Sequence, residues 1–574
     1  MQASAAAELK LTVTAVPIVS ALGQDKEADV EVLVRVEAPL QVAAKHPPID
    51  LVAVVDVSGS MGWSADPSSK KSSESRSRMD CLKEALKFIV KELHDDDRLA
   101  VVQFNGSIKD STPLSPISGG GRESALRLVD SLIPDGGTVF KPALEEAASI
   151  LQQDHGDGKE IRSSRRVPFI IFLSDGEESA GWETPWEQVI NAESDHSLRE
   201  VLRRYPVHTF GFSSSHDPMP LLAMARVSGG TYSYIDQGLD KITDAFAVCL
   251  GGLTTVVAVD ATIALSAAPG VTIVDIDSGG YSKRIKEHGA SGEVCIPVLY
   301  KDEVKNFIVH LRLPRAAAAG EQVILTAGST YFVNAADHYI SASTTTTTGE
   351  NNHQLSIERR PAIGGGGGQQ RDEAVLKQAT RFKLLSLLEK LPKDKELRSE
   401  GGRWAERLMA NWSELKNSYG LSSSSFDEDV EMMVSKLAAG SGQAYVCSYV
   451  SSHQMERATT MGSPGNIAVC YMTPAMTRKL KKAEDVAAAQ PPNGQGIAAK
   501  PHSAPAAPSD AAPSPPAPAN GEGIDANSRL LQLHLTLILY QCRHRCSRRR
   551  HRCCSRRRHR CSRRTAGPMP RLLL

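Results

Sequence analysis

The chain has 574 residues, and its 66 lysines and arginines are balanced by 66 aspartates and glutamates. That neutrality excludes a global pull toward nucleic acid or an anionic membrane. The length allows several domains, and 41% apolar residues supply a sizeable core.

The first residues, MQASAAAELKLTV, lack the basic start and long apolar run of a secretory signal. Residues 9–16 and 28–36 alternate apolar and polar side chains, which predicts two half-buried antiparallel strands. Pro47 and Pro48 break the chain. Residues 51–55 (LVAVV) are unbroken apolar, as in a strand covered on both faces of a parallel sheet. The run ends in Asp56, with Ser58 and Ser60 at alternate positions and Gly59 and Gly62 easing a turn. One carboxylate and two hydroxyls thus gather at the carboxyl end of a strand, where open α/β sheets bind ligands. Hard oxygens suit Mg²⁺, Mn²⁺ or Ca²⁺ rather than zinc. Taken alone, the stretch also fits a plain turn, since Asp and Ser crowd turns.

A Ser- and Lys-rich loop is expected over 63–77; Lys70, Lys71, Arg76 and the adjoining Arg78 against Asp66 and Glu74 give this rim a net positive charge that should attract an acidic partner, although a merely solvated loop fits equally well. Helical spacing follows at 78–93, then a strand at 98–104 (RLAVVQF) and a helix at 122–132. Asp135-Gly136-Gly137-Thr138 makes a tight loop before a helix at 142–153, with Pro142 in its first turn. The apolar run 167–173 (VPFIIFL) ends in Ser174-Asp175-Gly176. Strands at 207–212 and 231–235 and helices at 221–227 and 239–250 complete the alternation. It predicts an α/β fold, a doubly wound, mostly parallel sheet, over 48–251. His208 on a strand is expected to be structural.

Beyond Gly252 the pattern changes to short strands at 256–264, 271–276, 294–299, 307–313 and 321–327. A β-sandwich over 252–345 is expected. Two lone strands are not stable, so those of residues 1–47 should pair with it, leaving the α/β domain inserted into or flanked by the sandwich. Low complexity at 344–348 and 364–368 marks 346–370 as a linker. Helices at 371–391, 397–419 and 426–438 make 371–445 a helical region, and 446–478 stays unassigned. The apolar stretch 530–540 is shorter than the ~20 residues of a membrane span. From 479 to 574, Ala, Pro, Ser, Gly and then Arg and Cys dominate, predicting a disordered tail. Its CSRRRHRC repeats invite RNA phosphates or zinc; a disordered basic tail is the plainer reading. Nucleic acid is not otherwise expected. A reduced, cytoplasmic protein fits the missing signal.

Asp56, Ser58 and Ser60, then Thr138, then Asp175 follow one another at strand ends. This Asp-x-Ser-x-Ser, Thr, Asp set resembles the metal-ion-dependent adhesion site of von Willebrand factor type A (VWA) domains, over roughly residues 49–251. The resemblance implies that Ser58, Ser60 and Thr138 touch a metal through hydroxyls. Asp56 and Asp175 would hold it directly or through water. Mg²⁺ is the expected ion, and a partner's Asp or Glu would complete its shell. DRLAVVQF, SGGGRESALRLVDSL and PDGGT further resemble plant proteins that join a RING finger to a VWA domain and act as ubiquitin ligases. Residues 1–48 contain no cysteine, so the zinc-ligand pairs of a RING cannot be built there. No ligase activity of its own is expected, and a RING-bearing homologue becomes a candidate partner.

A metal-dependent protein-interaction module or scaffold is the first reading. A component of a ubiquitin-ligase system is the alternative. A metal-dependent hydrolase comes third, because no general base is evident near Asp56. Neither a Gly-x-Ser-x-Gly elbow nor a phosphate-binding Gly-rich loop ending in Lys-Ser/Thr is present.

Overall fold

The structure is a computed structural model. It describes residues 11–38, 47–65, 76–155, 166–176, 202–213, 216–236, 242–335, 338–343, 353–361, 370–390, 401–440, 442–462 and 467–489. Most of the expected loop at 63–77, the low-complexity runs at 344–348 and 364–368, and residues 490–574 lie outside that set. Three strands open the chain: β1 (Thr12–Pro17), β2 (Ala21–Gly23) and β3 (Ala28–Glu37).

The α/β segment follows as β4 (Ile49–Asp56), α1 (Arg78–Glu92), β5 (Arg98–Phe104), β6 (Ile108–Ser111), β7 (Ser115–Pro116), α2 (Gly121–Asp130), α3 (Phe140–His155), β8 (Val167–Ser174), β9 (Val207–Phe212), α4 (Pro218–Ser228), β10 (Tyr232–Ile235) and α5 (Ile242–Leu253). β4, β5, β8, β9 and β10 form a parallel sheet, with β6 and β7 antiparallel on β5. Every residue of β4 is buried. Its side chains alternate between two layers, as a pleated strand requires. Val52 and Val54 join the core made with α3 and α4, whereas Leu51, Ala53 and Val55 join that of α1 and α5. Helices therefore cover both faces, and the sheet is doubly wound.

Local chemistry sets where the first helix starts. Ser77 accepts from the Asp80 amide while the Asp80 carboxylate accepts from the Ser77 amide, a reciprocal cap. At the opposite end of β4 from Asp56, Asp50 binds Arg98, Arg166 and His155. Burial would raise its carboxyl, but hydrogen bonds from Arg98, His155 and Arg166 outweigh burial and hold it well below the usual range.

Beyond α5 come β11 (Val256–Ala267), β12 (Thr272–Asp277), β13 (Ser282–Lys286), β14 (Ser291–Tyr300), β15 (Val304–Leu313), β16 (Gly320–Ala335), β17 (His338–Ser343) and β18 (His353–Arg360). They form two further sheets. One runs β1-β3-β15-β12; the other runs β13-β14-β11-β16-β18-β2, with β17 on β16. β3 pairs with β15 along its whole length, from Ala28 opposite Leu313 to Glu37 opposite Val304. Val32, Val34, Phe307 and Val309 of the first sheet share one buried cluster with Ile263, Val294 and Ile296 of the second. The α/β segment is thus inserted between strands of the same sheets.

The remaining elements are α6 (Glu373–Leu388), α7 (Gly401–Tyr419), α8 (Asp427–Ala438), α9 (Gly442–Met455), β19 (Met461–Gly462) and α10 (Pro474–Ala489). Two segment assignments need correction. Within the expected linker 346–370, β18 is a strand paired with β16 and β2. The expected disordered tail begins too early, because residues 479–489 continue α10. That helix packs on α5, where a side chain at Gly251 would run into the Met476 backbone. The unassigned stretch supplies β19, which extends the parallel sheet beside β10.

Candidate metal centre

In chain order the sheet grows from β4 to β5 on one side and then returns to β8 on the other. The carboxyl ends of β4 and β8 therefore flank the switch point where open α/β sheets form a crevice. Asp56 ends β4, and Asp175 directly follows β8.

The loop after β4 closes in a single 3₁₀ turn, Gly59–Gly62. The Ser58 amide donates to Asp56 Oδ1 at 2.7 Å, which folds the loop back over its own carboxylate. Ser58 Oγ lies 3.0 Å from Ser60 Oγ, and Ser60 Oγ donates to Asp175 Oδ1 at 2.8 Å. The 135–138 loop is tied on through the backbone. The Gly59 amide donates to Gly136 O at 3.0 Å, and the Asp135 amide to Val57 O at 2.7 Å. Gly136 has φ +74°, and a Cβ there would lie 2.8 Å from Asn105 Nδ2, so this position needs glycine. Gly176 leaves the last gap: a Cβ on it would meet Thr138 Oγ1 at 3.0 Å and Asp56 Oδ2 at 3.6 Å. All five residues named from the sequence, Asp56, Ser58, Ser60, Thr138 and Asp175, are gathered at one end of the sheet.

Two neighbours join these five that the ligand motif does not name. Ser174 Oγ donates to Asp56 Oδ2 at 2.5 Å. Arg78, the first residue of α1, donates through Nη1 to Asp175 Oδ2 at 2.5 Å and through Nη2 to Ser213 Oγ at 3.3 Å. The Trp63 ring stands 5.5 Å from the guanidinium carbon, and that tryptophan is 63% exposed. The backbone joins the same two residues, since the Arg78 amide donates to Trp63 O at 2.9 Å.

Electrostatics make the pocket a poor place for a lone carboxylate. Burial pushes the Asp56 carboxyl up to about 7; the Ser174 hydrogen bond opposes this, and the nearby Asp175 charge adds to it. A cation beside Asp56 would relieve both penalties. Two carboxylates and three hydroxyls, with no thiol or imidazole, fit a hard divalent ion. Among the described residues no group of three or more His, Cys, Asp or Glu could hold a metal. An ion here would therefore depend on the hydroxyls.

Residues 49–234 match the sequence profile of the von Willebrand factor type A domain. This segment is a VWA domain. The chain is 26% identical over 314 residues to the E3 ubiquitin-protein ligase WAV3 of Arabidopsis thaliana, covering 52% of this chain and 37% of that protein. It is 24% identical over 294 residues to the probable E3 ubiquitin-protein ligase WAVH2 of the same plant, covering 50% and 36%. The chain thus spans little more than a third of the length of these relatives. Among solved structures, the von Willebrand factor type A protein from Catenulispora acidiphila superposes with a TM-score of 0.53 at 16% identity, covering 77% of this chain and 96% of that one. The shared fold therefore extends beyond the VWA domain itself. Among the described residues, no helix is long and apolar enough to cross a membrane.

Proposed function

We propose that the chain is a divalent-metal-dependent protein-interaction module, a cytoplasmic scaffold whose VWA domain binds an acidic group of a partner. The observation that carries this reading is the convergence of Asp56, Ser58, Ser60, Thr138 and Asp175 around the cradle left by Gly176. In this reading Ser58, Ser60 and Thr138 offer hydroxyls to Mg²⁺, with Mn²⁺ or Ca²⁺ as substitutes. Asp56 and Asp175 supply the negative charge, directly or through water. The ion contributes positive charge and an open position for a partner's Asp or Glu. Ser174 orients Asp56 through its hydrogen bond, and the 135–138 loop fixes Thr138 against the first loop. We read the assembly as one that binds rather than catalyses, because among the described residues no free general base stands beside Asp56.

The test is capture of partners by the full chain with and without chelator, repeated with Ser58→Ala. Binding should vanish with chelator and with the variant. If every captured partner survives both, recognition lies elsewhere.

A second reading follows from the names of the relatives: a part in a ubiquitin-ligase system, with a RING-bearing homologue supplying the ligase. Ubiquitination assays with this chain alone, and with such a homologue added, separate the two. Activity from the chain alone would overturn both.

A further inference from the structure

A charged side chain from outside the motif touches the adhesion-site residues directly. Arg78 projects from the first turn of α1 into the site and holds the outer oxygen of Asp175 at 2.5 Å. Its side chain is 10% exposed and that of Asp175 is fully buried. The contact is therefore shielded from water, which gives its charge more weight than a surface pair would have. Asp175 is thus already matched to one cation before any ion arrives. Its other oxygen receives the Ser60 hydroxyl at 2.8 Å.

We infer that Arg78 sets the charge balance of the site, weakening its hold on a divalent cation while strengthening the pull of the occupied site on an anion. This rests on the metal reading above. A divalent ion beside the two carboxylates alone would be fully neutralised, leaving a partner's carboxylate little to gain. With Arg78 in place, the same assembly keeps one net positive charge. One extra anion, an Asp or Glu of a partner, then restores neutrality. The guanidinium also repels the entering ion and occupies a carboxylate oxygen that could otherwise turn toward it. Like charges a few ångströms apart repel strongly even at an effective dielectric near ~20, so the effect on a divalent ion should reach about tenfold in affinity. Trp63 shapes the outer side of the device. Its ring lies against the guanidinium, and its carbonyl accepts from the Arg78 amide, so the arginine is held from both ends.

The inference predicts opposite signs for two affinities, which a purely structural ion pair would not produce. Mg²⁺ and Mn²⁺ binding is measured by calorimetry on the full chain as wild type, Arg78→Gln, Arg78→Lys and Asp56→Ala. Arg78→Gln should bind Mg²⁺ at least about tenfold more tightly than wild type, by the charge effect above. The Mg²⁺-saturated variant should bind a short peptide with one aspartate among neutral residues about tenfold more weakly than wild type, for the same reason. Arg78→Lys keeps the charge without the fork and should tighten Mg²⁺ binding by a smaller factor. If Arg78→Gln fails to fold, Arg78→Met, which removes the charge and keeps most of the side-chain length, decides, and an affinity at or below wild type overturns the inference. Wild type that binds Mg²⁺, with Asp56→Ala that does not, and an Arg78→Gln affinity no higher than wild type, overturns the role of Arg78 and leaves the metal reading standing. Tighter Mg²⁺ with undiminished peptide binding overturns the anion half. Uptake by Arg78→Gln alone supports the inference in its strongest form. Uptake by none of the four removes the metal reading, and the inference with it.

Discussion

Arg457 donates through Nε to Glu303 Oε1 at 2.8 Å, with the two side chains only 3% and 2% exposed. One residue follows the last helix of the 401–455 stretch, and the other sits in the turn between β14 and β15. The same arginine donates through Nη2 to Val298 O at 2.6 Å, and Lys305 Nζ lies 3.0 Å from Glu303 Oε1. The pair therefore rivets the late part of the chain to the β-sheets. Burial opposes the charge on Glu303, but Arg457 and Lys305 outweigh it and lower its carboxyl below the ordinary value. Glu303→Gln should leave two buried cations without their carboxylate and cost about 3–5 kcal/mol. Urea unfolding of the full chain measures this, and Glu303→Gln with a loss under about 1 kcal/mol would show the pair to be dispensable.

Removal of the late segment should unfold more than itself. α9 is buried along its length, and its Ser451 Oγ accepts from the Tyr232 amide of β10 at 2.8 Å. β19 covers the edge of β10, and Lys479 of α10 pairs with Glu92 of α1. Chains ending at residue 440 should aggregate, because β10 would then present an open edge and a bare apolar face. Light scattering on chains ending at 440 and at 489 compares the two. A monodisperse, cooperatively melting product from the shorter chain would contradict this coupling.

Acid should weaken the fold through two histidines. Burial pushes His208 and His453 down to about 3 from an ordinary value of 6.5. Each stays neutral in the fold and takes up a proton on unfolding once the pH drops below about 6.5. Stability is unaffected by them at higher pH and declines as the pH falls from 6.5 toward 3. At pH 5 the loss is about 2 kcal/mol for each. Urea midpoints at pH 7.5, 6 and 5 follow the decline, and His453→Gln should flatten it. An unchanged slope in that variant would show that His453 is not one of the groups responsible.

Asp56→Ala should abolish Mg²⁺ and Mn²⁺ binding without loosening the sheet. The carboxylate is buried beside another negative charge and carries a desolvation penalty of its own. Calorimetry on the full chain together with a thermal melt decides the matter: equal ion affinity in the variant removes Asp56 from the site.

How much of this the sequence disclosed depends on the physics of each element. β4 and β8 stood out because both faces of the parallel sheet are covered, which writes continuous apolar runs at 51–55 and 167–173. The residues closing those runs, Asp56 and Asp175, were legible for the same reason, since a strand end fixes where a side chain emerges. β13 was missed because SKRIK is mostly exposed and has no apolar alternation. α9 was missed for the opposite cause. Its residues are buried on every side, so the small polar Ser448, Ser451 and Ser452 face hydrogen-bond partners in the interior and no amphipathic stripe marks it. In the sequence Arg78 reads as the start of a helix and as one more positive charge near the rim, with nothing to link it to Asp175. Only the fold carries it across to Asp175, ninety-seven positions away.

The pairing of β3 with β15 has a consequence for synthesis. Glu37 leaves the ribosome long before Val304, its partner across the ladder, has been translated. At roughly 5–20 residues per second, the first strands wait tens of seconds for the ladder that completes them. Val32, Val34 and Val36 are meanwhile an uncovered β-prone segment in a crowded cell, and β10 waits similarly for Met461. The nascent chain should therefore rely on holding chaperones at both ends of the inserted domain, and slowing translation between residues 37 and 304 should lengthen that exposure and lower the yield of native protein.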